Sequence, residues 1–362
     1  MQKPLTLNVE RTAAAYTVKQ EEYTIKTFKA GLHYVESIDI ESDNTVIYLE
    51  RGAYLVALQP LYIENPTVPS DHNGHTRWKA FINANGKNNI KIIADGAYID
   101  FTNLNFVARA PMDFRNCDGL EISGVTLINS PVWNITPMFC KNVTIDNVKI
   151  FGYRTSSDGI EIVNCENVVV KNSFIRSGDD LYGVKSMSAS AVGGRNILFE
   201  NNQAWPDKVR GYGILHETQS DISGVTFRDC SVLFRYSNWM DDLGSLAIVV
   251  GDAGTISDIT FEDIEIYYDV KYPILLSFKK DEFSHQTDYG RIENIRFKNI
   301  SYNSHANTEI RMNALSSAAQ GNIKNIYFDN IFKNGEKVTT LDDLKLKLAY
   351  VASSDLFLNT LS

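Results

Sequence analysis

The chain has no apolar run near the ~20 residues that a membrane span requires. Its hydrophobic content, 44%, is ordinary for a globular protein. A basic surplus is also missing. With 35 Lys and Arg against 44 Asp and Glu, the net charge is −9, which argues against nucleic acid or any other polyanion as partner. There are only four cysteines (Cys117, Cys140, Cys165 and Cys230), too few and too widely spaced for a disulfide framework or a zinc site. No Gly-rich phosphate loop or EF-hand pattern occurs, so no metal or cofactor is expected. The start, Met1 to Val18, lacks the apolar core of a signal peptide. That leaves a cytoplasmic protein, or an exported one whose leader is missing from the sequence.

What the chain does have is a repeat. Its unit is Asn, a β-branched residue, any residue, an apolar residue, any residue, then Asn or Asp. Good copies begin at Asn142, Asn167, Asn196, Asn294 and Asn325, and weaker ones at Gly224, Asp258 and Gly119. The alternation places one apolar face on a short strand. Asn and Asp at the ends suit turns, because they tolerate the left-handed region. Stacked copies would let the Asn amides form ladders. The copies are spaced further apart toward the C-terminus while the unit stays constant, which means loops inserted on the turns, often the binding face. Three cysteines precede the unit in successive copies, and a small buried stack is expected there.

This pattern predicts an all-β chain folded as a right-handed parallel β-helix, with Val143, Ile145, Val168, Val170, Phe199, Phe227, Phe261 and Phe297 pointing inward. Three segments are expected: an N-terminal β-rich cap or subdomain over 1–85, the helix over 86–338, and a C-terminal cap over 339–362. Within the last, Leu341 to Leu346 reads as a short helix or a strand.

The candidate chemistry lies in Ser157-Asp158-Gly159 and Gly178-Asp179-Asp180. Asp179 follows Asp158 by 21 residues, about one turn of such a helix. Neighbouring strands lie about 4.7–4.9 Å apart, so the three carboxyls should meet. Crowded acids repel, and at least one pKa should rise. Direct stacking would separate two carboxyls by near 4.8 Å and a diagonal placement by about 7–8 Å. Inverting glycoside hydrolysis uses about 6.5–9.5 Å and retaining hydrolysis about 5–5.5 Å, so spacing alone leaves both open.

Asn129-Ser130-Pro131-Val132-Trp133-Asn134-Ile135, Cys140-Lys141-Asn142-Val143, the two acidic turns and Lys185-Ser186 together resemble the family 28 glycoside hydrolases, the polygalacturonases and their relatives. The likeness covers roughly residues 85–335. It extends to the related family 49 dextranases and isopullulanases. It implies a pectin-lyase-like solenoid and inverting hydrolysis of a polysaccharide or oligosaccharide, with Asp179 as general acid and Asp158 and Asp180 activating water. It also implies an extracellular or periplasmic protein, with the cytoplasm as alternative.

Two family features are missing. The Gly-His-Gly motif is nearest to Gly211-Tyr212-Gly213. The Arg-Ile-Lys segment that grips galacturonate falls at Ser245-Leu246-Ala247, where no cation remains. A neutral sugar chain is therefore expected, because the bidentate, charge-assisted bonds that select a carboxylate sugar are gone. Lys185 matches a family position beside the acids. Tyr212 and His216 are candidates for the missing histidine's place, and Trp133, Trp205 and Trp239 for stacking on a sugar, with structural packing as the alternative for each. A polysaccharide lyase would need a basic residue as base, and a non-catalytic β-helix would need no acid cluster. Nothing in the sequence sets an oligomeric state.

Overall fold

The computed structural model describes residues 22–59, 80–105, 109–236, 243–269, 271–314, 316–317 and 321–360. Among them there are strands and two short 3₁₀ turns, Leu341–Leu344 and Ser353–Asp355. No helix is long and apolar enough to cross a membrane. The strands wind into a solenoid in which nearly every pairing is parallel. Eleven strands form one sheet, from Ile38–Ile40 through Ile160–Val163, Tyr182–Ser186, Tyr212–Thr218 and Leu246–Val250 to Leu346–Ala349. Twenty-one strands form the other, in two ladders that merge in the long strands Ile222–Val232, Thr255–Ile266 and Arg291–Tyr302.

The repeat unit explains this geometry. The Asn or Asp at each end of the unit holds a positive φ, as at Asn142 (54°), Asn147 (55°), Asn167 (57°), Asn172 (54°) and Asp258 (55°). Asn and Asp reach that region at little cost, so they turn the chain at fixed places. Their amides ladder between rungs: Asn196 Nδ2 donates to Asn167 Oδ1 at 2.8 Å, and Asn201 to Asn172 at 2.7 Å.

All eight residues expected to point inward are buried. Four of them continue a stack, Phe199–Phe227–Phe261–Phe297–Phe328, with ring centroids 4.7, 4.9, 5.1 and 5.5 Å apart. The cysteine stack is there too. The Cys117 amide donates to Cys140 Sγ at 3.4 Å and the Cys140 amide to Cys165 Sγ at 3.3 Å.

Before the recognisable repeats, Thr24–Phe28 pairs with Thr45–Leu49, which pairs with Asn88–Ala94, and Ile38–Ile40 pairs with Ile82–Asn85. The line drawn at 85/86 therefore falls inside continuous pairing. At the other end, the short helix and the strand both occur: Leu341–Leu344 is a 3₁₀ turn, while Leu346–Ala349 and Leu356–Asn359 extend the two sheets by one rung.

Candidate active site

The three aspartates stand where turns enter two successive strands of the eleven-stranded sheet, Asp158 before Ile160–Val163 and Asp179 and Asp180 before Tyr182–Ser186. Ile160 pairs with Tyr182, and the Gly159 amide donates to the Asp180 carbonyl at 2.7 Å. That register sets Asp158 directly against Asp180. Gly159 is needed for the approach, since a Cβ there would lie 2.3 Å from the Leu181 carbonyl oxygen. Carboxyl oxygens of Asp158, Glu161 and Asp180 lie within 4.8 Å of one another. Stacking, rather than a diagonal, thus relates Asp158 and Asp180. Asp179, less deeply buried, is turned aside: its Oδ2 accepts the Ser156 amide and its Oδ1 the Asp180 amide, both at 3.1 Å.

Two cations hold the cluster. Arg210 donates through one nitrogen to both oxygens of Asp180, at 2.9 and 3.2 Å. Lys185 donates to Glu217 at 2.8 Å and sits 4.7 Å from the centre of the Trp133 ring. These residues, with Thr155, Val209, His216, Leu243, Lys279 and Phe283, line a cleft of about 270 Å³. At its far side His216 Nε2 lies 2.9 Å from Asp281 Oδ1, and the Phe283 ring meets the imidazole edge-on at 5.7 Å.

The electrostatics follow from burial and crowding. Burial, then the charges of Asp179 and Glu161, push the Asp158 carboxyl well above its ordinary range, against the pull of Lys185. Burial and Asp180 raise Asp179 to about 6, with Arg210 opposing. Burial raises Glu161 to about 8 despite Lys185. Lys185 itself is lowered by burial, but Glu217, Glu161 and Asp158 outweigh that and its pKa ends above normal. Of the three acids expected to crowd together, Asp158 and Asp179 are raised, and the unexpected Glu161 is raised as well.

The structure brings Asp158, Asp179, Asp180, Lys185, His216 and Trp133 to this one cleft. Tyr212 is a correction. It pairs with Tyr182 on the inward register, its ring stacks on Tyr182 at 4.9 Å, and its hydroxyl donates to the Asn202 carbonyl at 2.8 Å. It is a core residue, and the side chain facing the acids on that rung is Arg210, two positions earlier. Trp239 lies outside the described residues. Trp205 packs under Arg176 at 4.6 Å and donates to Asp207, outside the cleft lining.

Sequence reasoning did not name Glu161, Glu217 or Arg210 among the site residues. Glu161 had a signal: it stands between Ile160 and Ile162, facing away from the core on a strand that is nevertheless wholly buried. Glu217 had none. Val184 pairs with Ile214 and Ser186 with Thr218, so Leu215, His216 and Glu217 stand opposite Lys185 alone. This bulge, with His216 at φ 69°, delivers both His216 and Glu217 to the cleft.

Residues 79–348 match the family described as Glycosyl hydrolases family 28, and the chain belongs to that family. It is 28% identical over 198 residues to an exopolygalacturonase of Arabidopsis thaliana, covering 52% of this chain and 43% of that one. It is 26% identical over 246 residues to a polygalacturonase of Persea americana, covering 65% and 50%. The chain thus spans about half the length of these curated relatives. Among solved structures, the Yersinia enterocolitica family 28 exopolygalacturonase superposes with TM-score 0.65 at 13% identity, covering 95% of this chain and 74% of that one. The polygalacturonase from Erwinia carotovora ssp. carotovora gives 0.66 at 17%, covering 89% and 90%. The fold is the right-handed β-helix of these proteins.

Proposed function

We propose that this protein hydrolyses glycosidic bonds of a neutral poly- or oligosaccharide with inversion of configuration. The observation that carries the reading is the division of the three acids. Asp158 and Asp180 are stacked and buried, while Asp179, in the same cleft lining, accepts two backbone amides and has a pKa near 6. A carboxyl that keeps its proton into the weakly acidic range suits a general acid. Asp179 protonates the leaving oxygen. Asp180, gripped by Arg210, takes the proton of a water that Asp158 helps to orient on the opposite face of the sugar. Trp133 offers an apolar surface beside the reacting ring.

A lyase would need a base of the Lys or Arg kind. Lys185 and Arg210 are both already ion-paired with carboxylates, which speaks against it. The preference for a neutral chain is supported by the rungs beyond the acids. Ser245, Leu246 and Ala247 are fully buried, and Leu215, Ala247, Val249, Tyr272 and Leu275 form a closed apolar cluster. Each cation of the cleft lining is already paired with a carboxylate, Lys185 with Glu217, Arg210 with Asp180 and Lys279 with Asp281, which leaves little charge to attract a polyanion.

Release of reducing ends, measured across glucans, neutral galactans and polygalacturonate at equal concentration, tests the reading. A neutral polymer should be the best substrate. If polygalacturonate were best, the argument from the missing Arg and Lys would fail, and Arg210 or Lys279 would have to take the uronate carboxylate. No release from any of them, by well-folded protein, would remove the hydrolase reading itself.

A further inference from the structure

Behind the stacked pair lies an acid that the mechanism above does not use. Glu161 is fully buried, and neither of its carboxyl oxygens has a hydrogen-bond partner in the protein. One of those oxygens lies within 4.8 Å of carboxyl oxygens of both Asp158 and Asp180. The fold makes room for it deliberately. Glu161 pairs with Gly183 on the next rung, where any Cβ would come 2.2 Å from Glu161 Oε2. On the preceding rung, one residue on from the Ile135–Ile160 pair, stands Thr136, buried and with its hydroxyl also unpartnered.

The charged groups around it are few and can be named. Asp158 lies on its own turn, Asp179, Asp180 and Lys185 on the next rung, and Glu217 on the one after. Asp113, on the rung beyond Thr136, is already paired with Arg115 at 2.9 Å. Among the described residues the cation that acts most on Glu161 is Lys185, which touches Glu217. An unpartnered ionised carboxylate in such a place is costly, whereas a neutral acid is tolerated.

We propose that Glu161 is a positioning residue for the reaction, a neutral carboxylic acid behind Asp158 and Asp180 that leaves the Lys185 charge to serve that pair. An ionised Glu161 would compete for Lys185 and add a further negative charge beside Asp158, whose proton burial and Asp179 already favour. Its raised pKa of about 8 is consistent with this arrangement. The proposal rests on the hydrolase reading for its catalytic part, but not for its protonation part, and the two are tested separately.

The protonation test needs no substrate. A carboxyl whose folded pKa lies above its unfolded value gives up stability as pH rises from about 4.3 toward the folded value. Relative to wild type, Glu161→Gln should therefore gain in melting temperature from pH 4.5 up to about 8 and hold that gain above it. A loss of melting temperature at pH 7 would show Glu161 ionised and salt-bridged, and would overturn the proposal. Because neutral Gln keeps the shape, failure to fold would also count against it. Calcium titrated into the wild-type protein should leave the melting temperature unchanged. A rise that Glu161→Gln abolishes would mean that the three carboxyls form a cation site instead.

The catalytic test uses an aryl glycoside with an activated leaving group, which does not depend on Asp179. Wild type should lose activity along a limb near pH 8, and Glu161→Gln should keep activity within about threefold at pH 6 and lack that limb. An unchanged limb would make Glu161 merely structural. A loss of 10²-fold or more at pH 6 would make it a direct participant, and either result ends the proposal. Absence of turnover in wild type, with the melting curves as expected, would refute the hydrolase reading and leave the protonation of Glu161 standing.

Discussion

Asp179→Asn is expected to lower turnover on a natural polysaccharide by about 10²–10⁴-fold, the usual contribution of a general acid. It should do so without unfolding the protein, since Asp179 accepts only two backbone amides, which the Asn oxygen can still serve in part. The sign of its pH effects is fixed. Burial and Asp180 raise Asp179 to about 6, above the ordinary ~3.9. As an acid it must be protonated to work, so activity on a natural linkage should fall as pH rises past about 6. The same shift costs stability, because the folded protein holds a proton that the unfolded chain releases from about pH 4 upward. Asp179→Asn should therefore melt higher than wild type at pH 7, with the gain shrinking toward pH 4. Substrates with an activated leaving group need little proton donation. They should restore much of the lost rate in Asp179→Asn and little in Asp158→Asn. Equal rescue of the two would contradict the roles assigned here, and full activity in either would place catalysis elsewhere on the helix.

Lys185→Met is expected to be the most damaging single change to stability in the cleft. The ammonium is 4% exposed, touches Glu217 at 2.8 Å, and acts on Glu161 and Asp158 as well. Removing one partner of a buried pair typically costs about 3–5 kcal/mol, because the other charge stays buried. The Lys185 pKa is raised in the folded state, so its stabilising effect is present at every pH below about 10 and is lost only above that. The deficit of the variant should therefore be present at pH 4 as at pH 7, because the ammonium is charged at both and its contact with Glu217 is lost in the variant. Thermal unfolding followed by circular dichroism at pH 7 and pH 4 checks this. Equal melting temperatures for variant and wild type at pH 7 would mean that the cluster is held by Arg210 alone.

Most of the fold was legible because it repeats. A unit with Asn at the corners and one apolar face repeats along the chain and admits few arrangements, and the inward residues follow from period-2 alternation alone. The first rungs were harder. Thr24–Phe28 and Thr45–Leu49 lack the corner Asn pattern, with Asn44 the one Asn at positive φ before Asn89 among the described residues, so they read as strands without a place. At the site, Asp158, Asp179 and Asp180 were legible because a rung is about 21 residues long there, which brings distant turns together. Arg210 and Glu217 depend on register and on a bulge, neither of which leaves a mark in composition. Tyr212 was misread for the same reason. A Gly-aromatic-Gly turn looks open on paper, but its pairing with Tyr182 turns the ring inward.

The central claim is that Asp179 and the Asp158–Asp180 pair work from different sides of one glycosidic bond. Proton NMR of the first product formed from a substrate of known linkage tests it most directly, read before the sugar equilibrates in solution. The predicted result is the anomer opposite to that of the substrate, from direct attack by water. The same anomer as the substrate would contradict the account. It would show that two carboxyls about 5–5.5 Å apart act as acid and nucleophile, and would give that chemistry to Asp158 and Asp180, whose oxygens lie within 4.8 Å of each other.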